Sequence, residues 1–169
     1  MKSFQTAVVA IALSVAASAT QAQRFGAQAS WGSDSDIGVG GRVEFDLSNK
    51  LSKSGPLSKA IFLGQADYYF DCGVGACTWL DISPGLAVPI ASGKADTYLG
   101  AGLNLARVTV DPGSLGSKSN TKTGVNLIGG IRFPLGGMSA FTEGRISLGG
   151  GEQIAISFGV LFGKNTSAK

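Results

Sequence analysis

The sequence predicts an all-β fold, an eight-stranded antiparallel up-and-down β-barrel preceded by a helical signal peptide. Three observations lead to this prediction. The first 22 residues have the features of an export signal, eight later segments alternate between apolar and polar residues, and turn-forming clusters separate those segments. Because successive side chains of a strand point to opposite faces, each segment has one apolar and one polar face.

The export signal is expected to occupy residues 1–22. Lys2 gives it a positive start, and residues 7–19 form an uncharged, largely apolar run. Such a run suits a signal peptide, whereas a membrane-spanning helix needs about 20 apolar residues. Thr20-Gln21-Ala22 places small residues at the −3 and −1 positions of a cut after Ala22. Residues 23–169 are then the length of one domain.

The eight predicted strands are residues 24–32, 36–47, 59–70, 78–90, 96–110, 123–133, 139–148 and 153–162. The second shows the pattern most clearly, because its apolar face carries Ile37, Val39 and Phe45 while its polar face carries Arg42 and Glu44. The connections are short enough for hairpins except 48–58 and 111–122. Consecutive hairpins form a meander, and a closed meander is an up-and-down barrel.

One residue conflicts with this pattern. Pro84 lies inside the fourth segment, where it removes a hydrogen bond from the strand ladder. The sequence therefore predicts a bulge or a shorter strand at this position.

The distribution of charge predicts which face is outside. The apolar faces carry no charge, and the opposite faces carry a nearly balanced set of ions: Arg42, Glu44, Asp67, Asp81, Arg132, Glu143 and Arg145. A membrane-spanning barrel is apolar outside and polar inside. Ions enclosed in a narrow lumen must pair, since an unpaired buried ion is very costly. The sequence therefore predicts a transmembrane barrel with a charge network in its lumen.

The strand lengths also suit a membrane. About ten residues that rise roughly 3.3 Å each, tilted near 45°, span about 23 Å. The apolar band of an outer-membrane barrel is about 25 Å tall. Aromatic residues near the strand ends, where interfacial girdles belong, are Trp31, Tyr68, Phe70, Phe133 and Phe162.

Over residues 24–162, the chain resembles the small outer-membrane β-barrels of the OmpA/OmpX and opacity-protein type. The resemblance rests on the signal peptide, the eight segments and a last strand that ends Phe158-Gly159-Val160-Leu161-Phe162. It implies a monomer in the bacterial outer membrane, surrounded by outer-membrane lipid. It also implies that the barrel-assembly machinery reads Phe158, Val160 and Phe162. In that group the last aromatic residue usually ends the protein, whereas here seven residues follow Phe162.

Cys72 and Cys77 flank four residues at a predicted hairpin tip. In an oxidising compartment, two such cysteines predict a disulfide. A redox-active pair would favour the two-residue CxxC spacing, which this chain does not have.

The chain contains no histidine. Outer-membrane barrels that are proteases, phospholipases or lipid A-modifying enzymes resemble one another in using a histidine base, so their Ser–His and Asp–His mechanisms are unavailable here. The sequence predicts no catalytic, cofactor-binding or metal-binding residues. Without Lys2 the net charge is +2, from 13 basic and 11 acidic residues, and no basic stripe indicates nucleic-acid binding.

Three functions agree with this pattern to different degrees. The favoured one is a non-catalytic integral outer-membrane barrel that contributes to envelope structure or surface interaction. A soluble periplasmic lipocalin-like barrel that binds an apolar ligand is the first alternative. A narrow channel is the second, although side chains usually fill the interior of eight strands.

Overall fold

The computed structural model describes residues 24–48, 50–70, 76–111 and 116–163. Within these residues the chain forms a short 3-10 helix, Pro56–Lys59, and eight strands: β1 Arg24–Gly32, β2 Asp36–Asp46, β3 Ile61–Tyr69, β4 Ala76–Ala91, β5 Asp96–Asp111, β6 Lys118–Leu135, β7 Met138–Leu148 and β8 Gln153–Gly163. No helix among the described residues is long and apolar enough to cross a membrane. The predicted signal peptide, residues 1–22, lies outside the described residues.

The strands close into a barrel. Each strand pairs antiparallel with the next, and β8 pairs with β1 from Arg24↔Gly163 to Gly32↔Ala155. Closure satisfies the backbone hydrogen bonds of the first and last strands, which would otherwise be exposed edges. The predicted eight-stranded antiparallel up-and-down barrel is confirmed.

The two ends of the barrel differ in what they carry. We call the end with Arg24 and Gly163 the terminal end, and it also bears the connections that follow β2, β4 and β6. The opposite end, which we call the loop end, bears the connections that follow β1, β3, β5 and β7.

The faces of the barrel are inverted relative to a water-soluble protein. Large apolar side chains point outward along every strand, as shown by exposed fractions of 63% for Ile37, 60% for Leu103 and 62% for Phe158. Charged side chains such as Arg42 and Glu143 are buried inside, each 2% exposed. The outer surface therefore has the apolar character that lipid requires.

Aromatic residues rim this apolar surface at both ends. Trp31, Tyr68 and Phe70 are exposed at the loop end, where the Tyr68 and Phe70 ring centroids lie 5.5 Å apart. At the terminal end, the Phe25 and Phe162 centroids lie 6.2 Å apart. We call the outer surface between the two rims the apolar band.

Strands β4, β5 and β6 continue past their neighbours at the loop end. Pairing of β3 with β4 ends at Tyr69↔Trp79, and pairing of β6 with β7 ends at Val125↔Leu148. Pairing within the three strands continues to Ala76↔Asp111 and Val110↔Lys118. We call residues 76–79, 106–111 and 118–124 the extension.

The face chemistry of β5 inverts within the extension. Even-numbered residues of β5 face the interior, as the buried Tyr98, Asn104 and Ala106 show. By the same alternation, Val108 and Val110 of the extension face inward and Arg107 and Thr109 face outward. The extension thus has the polar outer face of a sheet in water.

The start of β6 differs from the prediction. The strand was expected to begin at Thr123, after a loop at 111–122, but it begins at Lys118. Both faces of this part of β6 are polar, so no apolar alternation indicates a strand. Pairing with β5 holds it instead, and the Thr109 and Ser119 hydroxyl oxygens lie 3.0 Å apart across the two strands.

The prediction of a bulge or a shortened strand at Pro84 is also wrong. Strand β4 runs through Pro84, and the pairs Ile82↔Leu105 and Gly85↔Gly102 keep one register with β5 on both sides of it. Pro84 has no N–H to donate, and the carbonyl of Leu103 accepts a 3.3 Å hydrogen bond from the side-chain amide of Asn126. The register shift in β4 occurs later, between Pro89 and Ala91.

Candidate functional site: the ion-paired interior

The lower part of the lumen, towards the terminal end, centres on Arg42 of β2. Its Nη1 lies 2.6 Å from Glu143 Oε2, and its Nε donates to Glu44 Oε1 at 2.8 Å. The Tyr98 hydroxyl accepts from Arg42 Nη2 at 3.1 Å and donates to Glu143 Oε2 at 2.7 Å. Arg42 is therefore held on two sides by carboxylates that come from different strands.

Two further arginines complete this lower layer. Glu44 contacts Arg24 at 2.8 Å and Arg132 at 3.1 Å, in addition to Arg42. The Arg132 guanidinium also stacks 4.2 Å from the centroid of the Tyr98 ring. Three arginines face two glutamates here, so the lower layer carries one excess positive charge.

The upper layer, towards the loop end, centres on Arg145 of β7. Its Nη2 lies 3.2 Å from Asp67 and 3.7 Å from Asp81. Asp67 also accepts hydrogen bonds from Gln28 at 2.7 Å and from Ser30 at 2.9 Å. One arginine faces two aspartates, so this layer carries one excess negative charge.

Gln65 of β3 joins the two layers. Its amide nitrogen donates to Glu143 Oε1 at 2.6 Å, and its oxygen accepts from Arg145 Nη1 at 3.2 Å. The buried ions of the described residues then balance, with four arginines against four carboxylates. A neutral, cross-linked interior lowers the cost of enclosing these charges away from water.

The structure brings together all seven residues of the predicted lumen charge network, and it divides them between the layers. Arg42, Glu44, Arg132 and Glu143 lie in the lower layer. The upper layer contains Asp67, Asp81 and Arg145. Glu44 contacts arginines of the lower layer, whereas Asp67 and Asp81 contact Arg145.

Two lumen residues were missed from the sequence, although strand parity could have found both. Arg24 is in phase with the inward-facing Gln28 and Ser30 of β1, and its charge completes the balance. Tyr98 is in phase with Asn104 of β5 and is fully buried. Arg24 is the first residue of β1 and Tyr98 is the third residue of β5, so both lie near a strand start, where few residues of the alternating pattern precede them.

The remaining predicted sites lie elsewhere. Cys77 is buried at the start of β4, and Cys72 lies outside the described residues, so their disulfide stays a prediction. Phe158 and Phe162 of the predicted assembly signal point outward from β8, 62% and 41% exposed, and Val160 lies between them on the same face. In the part of the chain that the structure describes, no cluster of three or more potential metal ligands occurs.

A cleft of about 820 Å³ opens at the loop end. The extension supplies its apolar wall through Trp79, Val108 and Val110, and the turn between β7 and β8 lines another side. That turn packs closely, because a Cβ on Gly151 would lie 2.5 Å from the Ala106 methyl group. The inward apolar face of the extension is thus partly covered by the barrel's own turn.

Comparisons with known proteins support the fold. By sequence, the chain matches no protein-family profile and no characterised protein. By structure, it is similar to the N-terminal β-barrel domain of Pseudomonas aeruginosa OprF, with a TM-score of 0.56 and 14% identity over 83% of this chain and 97% of that one.

Two further structures are similar at the same level. Neisserial surface protein A gives a TM-score of 0.54 with 15% identity, over 83% of this chain and 95% of that one. Ail, the attachment invasion locus protein of Yersinia pestis, gives 0.50 with 12% identity, over 82% and 92%. The chain therefore has the fold of the small outer-membrane β-barrels, which its sequence predicts.

Proposed function

We propose that the chain is a non-catalytic integral protein of the bacterial outer membrane, whose lumen is closed and whose loop end takes part in surface interaction or envelope structure. The inverted barrel carries this proposal: the outside is apolar along every strand, while the inside holds four arginines and four carboxylates. A soluble lipocalin-like barrel would need the opposite arrangement, with an apolar lumen for its ligand. The observed faces therefore favour lipid over water as the surroundings.

Membrane insertion is tested by cell fractionation and by gel mobility with and without heating. We expect the chain in the outer-membrane fraction, with a folded form that runs differently from the heated form in detergent. A chain that stays soluble and folded without detergent would contradict the proposal.

The two charge layers support the proposal of a closed lumen. Arg42 is held between Glu143 and Glu44, and Arg145 contacts both aspartates of the upper layer, so the ion pairs cross the interior at two heights. Side chains fill an interior of this width. In planar bilayers we expect no steady conductance, and stable unitary currents would instead support the narrow channel.

The extension supports the proposed role in surface interaction. The three strands reach past the aromatic rim with a polar outer face, and the cleft lies against their inner face. Two of the structural relatives are named as a surface protein and as an attachment invasion locus protein.

A surface role requires that the extension face the outside of the cell. This orientation can be measured with a membrane-impermeant amine reagent on intact cells. Lys118 and Lys122 of the exposed extension are expected to react. Lys50, Lys53, Lys59 and Lys94 lie at the terminal end and are expected to react only after the outer membrane is opened. The reverse labelling pattern would contradict a surface role for the extension.

A further inference from the structure

The connection between β2 and β3 at the terminal end combines positive charge with exposed apolar side chains. Residues 48–60 contain three lysines and no acidic residue. Leu51 and Leu57 are each 51% exposed in the same connection. We call the exposed residues Lys50, Leu51, Lys53, Leu57 and Lys59 the basic loop.

Backbone and side-chain hydrogen bonds order this connection. Leu47 donates its N–H to the carbonyl of Ala60 at 2.9 Å, which closes the base of the loop. The Lys50 N–H donates to the carbonyl of Leu47 at 2.9 Å, and the Ser58 hydroxyl donates to the carbonyl of Gly55 at 2.7 Å. The lysines and leucines are therefore displayed together on a folded loop.

The basic loop begins where the apolar band ends. Phe45 and Phe62 pair across β2 and β3 with centroids 5.9 Å apart, next to the loop. Aromatic rings of this kind form the interfacial girdle of an outer-membrane barrel. Lys94, in the connection after β4, adds a fourth exposed lysine to this end.

The lysines of the loop end have different surroundings. Lys118 and Lys122 lie on the extension, beyond the aromatic rim, and they share the cleft with the carboxylates Asp34 and Glu152. Their charge is offset nearby, whereas the β2–β3 connection contains no acidic residue, and the carboxylate at its edge, Asp46, accepts a 2.7 Å hydrogen bond from the Ser48 N–H.

We infer that the basic loop binds the anionic headgroups of phospholipids in the leaflet at the terminal end, with Leu51 and Leu57 at the boundary between headgroups and acyl chains. The inference rests on the proposed membrane location. Lysines with neighbouring apolar side chains are the usual means of binding an anionic interface. Each lysine near such a surface strengthens association by about fivefold at low salt, and salt screens the effect.

The test uses the full chain refolded into phosphatidylcholine vesicles that contain a trace of spin-labelled lipid. Electron spin resonance gives the association of labelled phosphatidylglycerol relative to labelled phosphatidylcholine. The wild-type chain is expected to prefer phosphatidylglycerol severalfold at low salt. The Lys50→Gln/Lys53→Gln variant is expected to lose most of that preference, and high salt should have the same effect on the wild type.

The matched control is Lys118→Gln/Lys122→Gln, which removes the same charge at the opposite end. It is expected to keep the preference for phosphatidylglycerol. An equal loss in both variants, or no preference in the wild type, would overturn the inference. It would also be overturned if Lys50→Gln/Lys53→Gln weakened binding of lipopolysaccharide and not of phosphatidylglycerol.

These outcomes are separate from a failure of the proposed function. If the chain inserts into vesicles and shows heat-modifiable mobility but has no headgroup preference, only the role of the basic loop is wrong. If it remains folded in water without vesicles, the membrane location itself is wrong.

Discussion

The two halves of strand β5 have opposite face chemistry. In the half from Asp96 to Leu105, Leu103 points outward and Asn104 inward. In the half within the extension, the polar Thr109 points outward and the apolar Val108 inward. The pleat continues unchanged through both halves, so the inversion reflects a change in what surrounds the strand. The alternating pattern therefore reports the environment of each face, and the inversion after Leu105 marks the edge of the apolar band.

The largest expected loss of stability comes from breaking an ion pair of the lumen at the level of the apolar band. Glu143→Gln removes the carboxylate 2.6 Å from Arg42, and leaves that guanidinium underpaired in the lumen. Removing one partner of a buried ion pair costs about 3–5 kcal/mol. Urea unfolding in detergent micelles, followed by heat-modifiable gel mobility, measures the free energy of unfolding.

The control for this variant lies at the loop end. Glu152→Gln makes the same chemical change at an exposed position, where we expect an effect within about 0.5 kcal/mol. Equal destabilisation by the two variants would mean that the lumen ion pairs do not stabilise the folded barrel.

The next largest effect compares the outward face of β5 on the two sides of the inversion. Leu99→Lys places a charge on the outward face near the middle of the apolar band and should cost about 2–3 kcal/mol in vesicles. Thr109→Lys also introduces a lysine on the outward face of β5, but within the extension, and should change the free energy of unfolding by no more than about 0.5 kcal/mol. Similar costs at both positions would show that the two halves of β5 share one environment.

The predicted disulfide between Cys72 and Cys77 provides a third test. Cys72→Ser/Cys77→Ser is expected to lower stability by about 2 kcal/mol, since it opens a short covalent loop at the hairpin tip. Mass spectrometry after alkylation of the unfolded wild-type chain should detect no free thiol. Two alkylated cysteines without reductant would rule out the disulfide.

The smallest expected loss of stability comes from removing a tyrosine hydroxyl, and it should differ between the inner and the outer face of the barrel. Tyr98→Phe removes a hydroxyl that bridges Arg42 and Glu143, and should cost about 1–1.5 kcal/mol. Tyr68→Phe removes the same group from the outer aromatic rim, where Tyr68 is 42% exposed, and should be nearly neutral. The difference in urea midpoint between these two variants checks the assignment of faces.

Much of the fold follows from the sequence because its signals are local. Alternation along a strand is enough to place Leu103 outside and Asp81 inside, and all eight strands were found in this way. The charges of the lumen network follow from the same parity. Hydrophobic alternation is strongest within the apolar band, which is where the predicted strand positions agree best with the structure.

Features that depend on pairing between distant strands could not be predicted. The division of the ions into two layers needs the register that sets Arg42 beside Glu143, which are 101 residues apart. Strand formation at Lys118 depends on pairing with β5. The register is kept on both sides of Pro84, where the carbonyl of Leu103 accepts a hydrogen bond from Asn126 of β6. The cleft depends on how the β7–β8 turn packs against Trp79.

The most direct test of the inverted barrel is the solvent accessibility of spin labels at two positions on one face of β5. Labels at Leu103→Cys and Thr109→Cys, in a Cys72→Ser/Cys77→Ser background, are compared in vesicles by their collisions with oxygen and with a water-soluble nickel complex. We predict that oxygen relaxes the label at 103 more strongly, and that the nickel complex relaxes the label at 109 more strongly. Dominance of the nickel complex at both positions would contradict a lipid-facing barrel.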